Sequence, residues 1–531
     1  MSAWTPRLNE TPAAAHLGGQ SSIPTPGHGH SLRRSAIISR MFGRYVIRRV
    51  LSLGPLRSPG TRAFLAGAVL VFTGGGAVIA FQFLKPVGND LMMWTYVHDL
   101  ATISVTMMAT AIFLGLRLIL GGSESFLTLT YQLPVTNQER RAAMLWFEVV
   151  SVTVLISLLT AATLTATLLL LGPSGVWLAC TPLLTALTCY LLLSILYNLG
   201  DRLLTRLGLL RARQSILLLI VFAGLLLFNS QIPRMVTTVS IGDGERMLLG
   251  VNLFPWMVAS FGPFSLISAA LLLPCLWLIA LATAPVVPPG NTRFTNLPLP
   301  WLPHGAWGLH LAYALRNGHL WLGMSLSSAL FTYLLISGGM HPLWAGLLLV
   351  IPGMYHYGNT GGARAMHPDQ SALRIWWRIL GTELAVVGAL LVVLTAIACA
   401  VRPALLAGAP APILAVLGSV LFSVLVGCAF PAENDNPFSV LLGLLVLCLC
   451  LGFVGIVSGL LDLPNSTTIP LLVALHILAA GASVLAIHTN ESRTRHVTLP
   501  ERNRLPGGGR HGHPDHRRRH PAVSHGFNAR G

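Results

Sequence analysis

The feature that most constrains this sequence is where its charged residues are missing. Between residues 63 and 490, stretches without Asp, Glu, Lys or Arg run at 63–84, 100–116, 149–200, 214–233, 247–292, 317–363, 384–401, 403–432, 436–461 and 463–490. A charge is costly in hydrocarbon, and a helix needs about 20 mostly apolar residues to cross it, so these gaps mark membrane spans. The gap 149–200 is long enough for two helices and breaks at Gly172-Pro173-Ser174-Gly175. The gap 317–363 breaks at Gly338-Gly339-Met340-His341-Pro342, since Gly and Pro end helices. In 247–292 the opening residues around Trp256 read as interfacial. Twelve helices are predicted, near 63–84, 100–120, 145–171, 176–198, 213–230, 262–286, 318–337, 342–357, 379–401, 409–430, 438–461 and 469–488. The expected fold is an all-α polytopic membrane protein made of two six-helix halves.

Composition agrees: 53% of the 531 residues are hydrophobic and 10% charged, against about 25% charged in soluble domains. Orientation follows from the bases. Thirty of the 34 Lys and Arg lie in segments on the N-terminal side, and only Lys85, Arg234, Arg246 and Arg402 lie opposite. Basic loops stay inside, so both termini are expected in the cytoplasm of a multi-pass protein of a bacterial cell membrane. The loop 431–437 is the exception, with Glu433, Asp435 and no base. The formal charge of +17 is then an orientation signal and a leaflet-binding surface, and no nucleic-acid partner is needed to explain it. Lys85 is the one lysine, and it sits in LKPVGND rather than in the Gly-Lys-Ser/Thr of a phosphate-binding loop. An ATPase site on this chain is excluded by that route.

Residues 1–32 read as a disordered tail, and 33–57 as a basic amphipathic interfacial helix. In the latter Arg40, Arg44 and Arg48 form one stripe, and Ile38, Phe42, Val46 and Val50 another, suited to an anionic leaflet. The first membrane half is 58–286, a cytoplasmic linker covers 287–317, the second half is 318–488, and 489–531 is a disordered Arg/His-rich tail. The seven cysteines all fall inside predicted spans and read as small hydrophobes, not as a disulfide framework.

Constellations that carry chemistry are few. His319, His341, His356, His476 and His488 stand apart, with no two at i,i+4, so neither a metal nor a cofactor is expected on the chain. No nucleophile elbow, zinc-protease motif or carboxylate pair of an enzyme occurs. Asp99, Arg117, Glu148, Arg378 and Glu383 read as lying near helix ends, which leaves the span interiors without an ion relay. The third span carries Thr153, Ser157, Thr160, Thr163 and Thr167 at spacings of 4, 3, 3 and 4. Such a stripe serves close helix packing or lines a translocation path.

The most informative segment is the loop before the third span. A short apolar stretch ends at Leu133-Pro134-Val135, and Thr136 stands three residues before Glu139, a capping box that opens a helix. Glu139, Arg140 and Arg141 cover its first turn, and the helix runs on past Trp146 and Glu148 into the span. This pattern resembles the membrane subunits of ABC-type exporters of the type-2 class, whose first inner loop reads Leu-Pro-Val/Ile-Ser/Thr, then Glu-Arg and a helix. Leu133, Pro134, Val135, Thr136, Glu139 and Arg140 match it. The resemblance implies a coupling element that touches a separate cytoplasmic ATPase subunit, present in two copies, which binds ATP and Mg. It also implies a preceding interfacial helix. The outer loops are short, which suits export of an apolar or amphipathic substrate, whether small molecule, lipid or peptide. A second copy of the loop is read in 363–384, where at an offset of 234 Pro134 meets Pro368 and Arg140 meets Arg374, with Glu148 and Glu383 one position out of step. The second copy has His367 in place of Leu133 and lacks the acid–base pair. A carrier or channel working without ATP is the alternative, and a polytopic membrane enzyme or assembly factor a third reading.

Overall fold

The computed structural model describes residues 32–52, 59–88, 90–120, 136–209, 212–241, 252–284, 297–300, 302, 305–365, 370–431, 443, 446–447 and 465–502. Among these residues there is no β-strand. Eight helical stretches among them are long and apolar enough to cross a membrane: Met93–Leu118, Gln138–Leu171, Val176–Arg206, Arg213–Thr237, Gly318–Ser337, Ala372–Val401, Pro410–Ala429 and Ser466–Ser492. The chain is an all-α, membrane-embedded protein.

The first half comprises α1 (Leu32–Ser52), α2 (Pro59–Leu84), α3 (Leu91–Leu120), α4 (Asn137–Leu171), α5 (Val176–Arg206), α6 (Arg213–Ile241), α7 (Leu253–Phe261) and α8 (Ser265–Thr283). Here α5 is the hub, with α3 and α8 packed along it, while α4 carries α1 and α2. The core between α3, α4 and α5 is built on Phe113, Val152, Ile156, Ala186 and Tyr190.

The second half begins with α9 (Ala306–Arg316) and α10 (Gly318–Ser337). A 3-10 segment, Pro342–Val350, follows, then α11 (Gly353–Asn359), α12 (Gly361–Ala365), α13 (Ala372–Val401), α14 (Pro410–Ala429) and α15 (Asn465–Arg502). Its core joins Leu349, Ile379, Val387, Val416, Val420 and Ile487. The halves meet where α6 lies on α10, through Leu218 against Leu322 and Leu326, with Asn229 Nδ2 donating to Tyr333 Oη at 3.0 Å.

Several boundaries differ from the sequence reading, each for a physical reason. The helices outrun the charge-free gaps: α4 starts at Asn137 and α13 at Ala372, well before the predicted 145 and 379. The segment read as linker holds α9, whose Ala314 is buried against Leu320 and Val386 and whose Trp307 packs over Gly381. The tail read as disordered is helical to Arg502, and Glu491 on it pairs with Arg364 at 2.9 Å. The predicted eighth helix is not one continuous α-helix. Pro352 within it lacks an amide donor and Gly353 beside it weakens the α-turn, and the nine residues from Pro342 wind as a 3-10 helix instead. Irregular backbone survives at membrane depth only when buried in protein; here Ser327 Oγ donates to Ala345 O at 2.9 Å and Ser423 Oγ to Val350 O at 2.6 Å. Most of the predicted span 438–461, with residues 1–31 and 503–531, lies outside the described residues.

Candidate functional site: two buried carboxylates in matching positions

The start of α4 has the predicted capping box. Thr136 Oγ1 accepts from Glu139 N at 3.2 Å, and the Glu139 carboxylate accepts from Thr136 N at 3.0 Å. Thr136→Ala is expected to cost about 1 kcal/mol, as N-cap losses do, read as a small drop in thermal midpoint of the purified chain. Leu133, Pro134 and Val135 lie outside the described residues, as does Pro368.

Glu139 and Arg140 are buried (5% and 7% exposed), and Arg34 of α1 lies 4.0 Å from Glu139. Glu139 thereby ties α1 to the start of α4. Arg141 is half-buried, and Arg374 exposed. On α1, Ile38 and Phe42 are also turned inward, onto Ala143 of α4. The row left exposed is Ile37, Met41 and Tyr45, beside the exposed arginines Arg40, Arg44 and Arg48. The exposed apolar stripe is thus one register away from the predicted Ile38–Phe42–Val46–Val50 stripe, because α4 claims Ile38 and Phe42.

The structure separates Glu148 and Glu383 from the coupling residues. Glu148 lies nine residues beyond Glu139 and Glu383 nine beyond Arg374, about 13 Å along the axis, and each is buried inside its half (2% and 4% exposed). Their helices bring them into the same register. Each is the twelfth residue of its helix, after a hydroxyl N-cap at Thr136 or Ser371. The offset that aligns both caps and both acids is 235, one more than the sequence reading used.

Around Glu148 the partner is a permanent cation. Arg117 Nη1 and Nη2 donate to its two oxygens at 3.1 and 3.0 Å, and Tyr190 Oη adds a third bond at 2.7 Å. The guanidinium lies 5.2 Å from the Phe113 ring and 5.4 Å from the Tyr197 ring, so aromatic faces complete its cage. The bidentate geometry, with the Tyr190 hydroxyl on the same carboxylate, is what allows this buried ion pair to persist.

Around Glu383 the partners are histidines. His356 Nδ1 lies 2.5 Å from Glu383 Oε1, and His356 Nε2 lies 3.1 Å from His310 Nδ1. The two imidazoles are stacked, with centroids 5.4 Å apart. All three side chains are buried and come from three elements: α9, α11 and α13. Gly353 makes room for this group, because a Cβ there would stand 2.8 Å from Ser423 Oγ and 3.6 Å from Glu383 Oε2. Burial, reinforced by His356, Arg378 and Arg364 nearby, pushes His310 down to about 3, so its ring is neutral at ordinary pH.

The Ser/Thr stripe on α4 is unevenly exposed. Thr160 and Thr167 are buried, Thr153 and Ser157 half-buried, and Thr163 exposed. Thr153, Thr160, Thr163 and Thr167 each donate to a carbonyl of their own helix at 2.7–2.9 Å. Thr167 also meets the buried His98 of α3 at 3.3 Å.

His310 and His98 were not singled out in the sequence. His310 lay in a supposed linker, yet 294–315 is another charge-free gap, and that signal marks α9. No group of His, Cys, Asp and Glu among the described residues is arranged to hold a metal ion. No family model, no curated protein and no solved structure matches this chain.

Proposed function

We propose that this chain is the permease of an ABC-type exporter of the bacterial cell membrane, moving an apolar or amphipathic substrate while a separate subunit pair hydrolyses ATP. The observation that carries this reading is the clamp between α1 and the capped start of α4. Ile38 and Phe42 dock on Ala143, and Arg34 reaches Glu139. A push on the loop ahead of Thr136 therefore moves an interfacial helix and a 35-residue membrane helix as one body. Glu139 and Arg140 transmit within the chain, and Pro134 and Arg141 are the residues assigned to the ATPase. The missing phosphate-binding loop fits this division of labour.

The test is co-purification. Wild-type chain should retain a P-loop ATPase, and Pro134→Ala or Arg141→Ala should reduce that retention at least tenfold without changing the yield of folded chain. Wild type that never retains such a partner, with or without nucleotide, sinks the reading. The buried His310–His356–Glu383 group favours one second reading, a carrier driven by an ion gradient. That carrier would transport when purified alone, and Arg141→Ala would leave it unaffected.

A further inference from the structure

We propose that His310, His356 and Glu383 form a proton-binding site, and that one proton gives the second half the ion pair that Arg117 supplies permanently to the first. This rests on geometry in the chain alone and holds whichever energy source drives transport. Glu148 and Glu383 occupy equivalent positions on equivalent helices, yet one faces a guanidinium and the other an imidazole. An arginine does not release its proton in a protein, whereas histidine changes charge across the physiological range.

The hydrogen bonds give the site a direction. With Glu383 ionised, neutral His356 donates from Nδ1 to the carboxylate and accepts at Nε2 from His310 Nδ1–H. A proton that arrives at His310 Nε2 bonds there, and the Nδ1–H bond of His310 breaks as its proton passes to His356 Nε2. His310 is left neutral with its proton on Nε2. His356 becomes an imidazolium between an acceptor ring and the carboxylate. One proton is taken up, and the net charge of the trio goes from −1 to zero. His310, which resists holding charge itself, serves as the relay, and it sits on α9, outside the candidate spans.

The surroundings are charged on other sides too, and these groups are already committed. Arg378 of α13 bonds Gln370, at 2.6 Å. Arg364 of α12 bonds Glu491 of α15 and stacks over Tyr357 of α11, which also donates to Glu491 at 3.1 Å. Tyr355 of α11 stacks on His319 of α10 at 4.0 Å. From α14, the Ser423 hydroxyl is spent on Val350 O. Glu383 is the carboxylate bonded to His356, and the two arginines oppose protonation of His310. Loading the site ties α9, α11 and α13 together by charge, and unloading leaves them joined by neutral hydrogen bonds.

The test uses full-length chain in lipid nanodiscs, titrated from about pH 8 to about pH 5, where imidazoles change charge and ordinary carboxylates stay ionised. Infrared difference spectra of the wild type should show a shifted carboxylate band, because Glu383 senses the charge arriving on its partner. Potentiometric titration should show His356→Gln taking up one proton fewer than wild type. His356→Arg, which places a fixed cation beside Glu383, and Glu383→Gln should both lose the carboxylate signal. A wild-type carboxylate region that is unchanged across this range overturns the proposal without any variant. So does a folded His356→Gln or Glu383→Gln chain that keeps the signal. Retention of an ATPase partner is a separate readout, so failure here leaves the permease reading standing.

Discussion

Arg117→Ala is expected to destabilise the first half by about 3–5 kcal/mol, the usual cost of stripping one partner from a buried ion pair. The guanidinium satisfies both oxygens of Glu148 from inside a cage of Phe113 and Tyr197. Without it a carboxylate 2% exposed keeps only the Tyr190 hydroxyl. The prediction separates a missing charge from a missing shape. Arg117→Met combined with Glu148→Leu and Tyr190→Phe removes every polar partner together and should recover most of the loss, as hydrophobic replacements of buried pairs often do. Thermal unfolding of wild type, Arg117→Ala and the combined variant in one detergent, followed by tryptophan fluorescence, measures both effects. Equal stability of Arg117→Ala and wild type would show that the pair contributes nothing. A combined variant as unstable as Arg117→Ala would place the cost in lost volume.

The second large effect is expected at Gly427 of α14. A Cβ there would stand 2.6 Å from Met354 O and 3.0 Å from Met354 C and Cα. Those are backbone atoms of α11, which cannot swing aside as a flexible side chain does. Gly427→Ala should cost about 1–3 kcal/mol by overpacking, and Gly427→Val more. It should also displace α11, which carries His356 two residues along, so a pH titration of the variant should be altered as well. Gly481→Ala on α15 is the control, since nothing lies within 4 Å of its Cβ position. There the higher helix propensity of alanine should leave stability unchanged or raised by up to about 1 kcal/mol. Thermal midpoints that fall equally in the two variants would show that close approach at Gly427 is not what matters.

Much of the architecture could be read from charge spacing, and the limits of that reading have one cause. A charge at one end and a glycine break at the other predict the bounds 318–337 of α10, and these hold because Asn317 caps its start and Gly338 adopts the left-handed φ of +69° after it. The same rule misplaces any charge that is buried and paired. Glu148 and Glu383 were set at helix ends by construction, whereas each has a full three turns of its helix before it. Their partners sit 27 and 31 residues away in sequence, so no local pattern announces them. The Thr136–Glu139 cap is the opposite case: donor and acceptor are three residues apart, and the bond follows from local chemistry. For α9 the signal was present as a charge-free run, and proline-rich neighbours at Pro298, Pro300 and Pro303 disguised it as linker. The facing of α1 was not legible, since Ile37-Met41-Tyr45 and Ile38-Phe42 are both apolar and only the packing of α4 decides between them.

The 3-10 winding of Pro342–Val350 has a consequence for reach. A 3-10 helix rises about 2.0 Å per residue and an α-helix about 1.5 Å. Residues 342–359 as pure α-helix would extend about 27 Å, short of a hydrocarbon core of about 30 Å. With nine of them wound tighter, the same eighteen residues extend about 31 Å. Threefold winding also lines up every third side chain, and Leu343, Gly346 and Leu349 accordingly form one buried row. A relaxation of that segment to α-helix would shorten it by about 4–5 Å and turn the row away from its groove. The 3-10 winding thus sets the length of the segment that leads into the histidine facing Glu383.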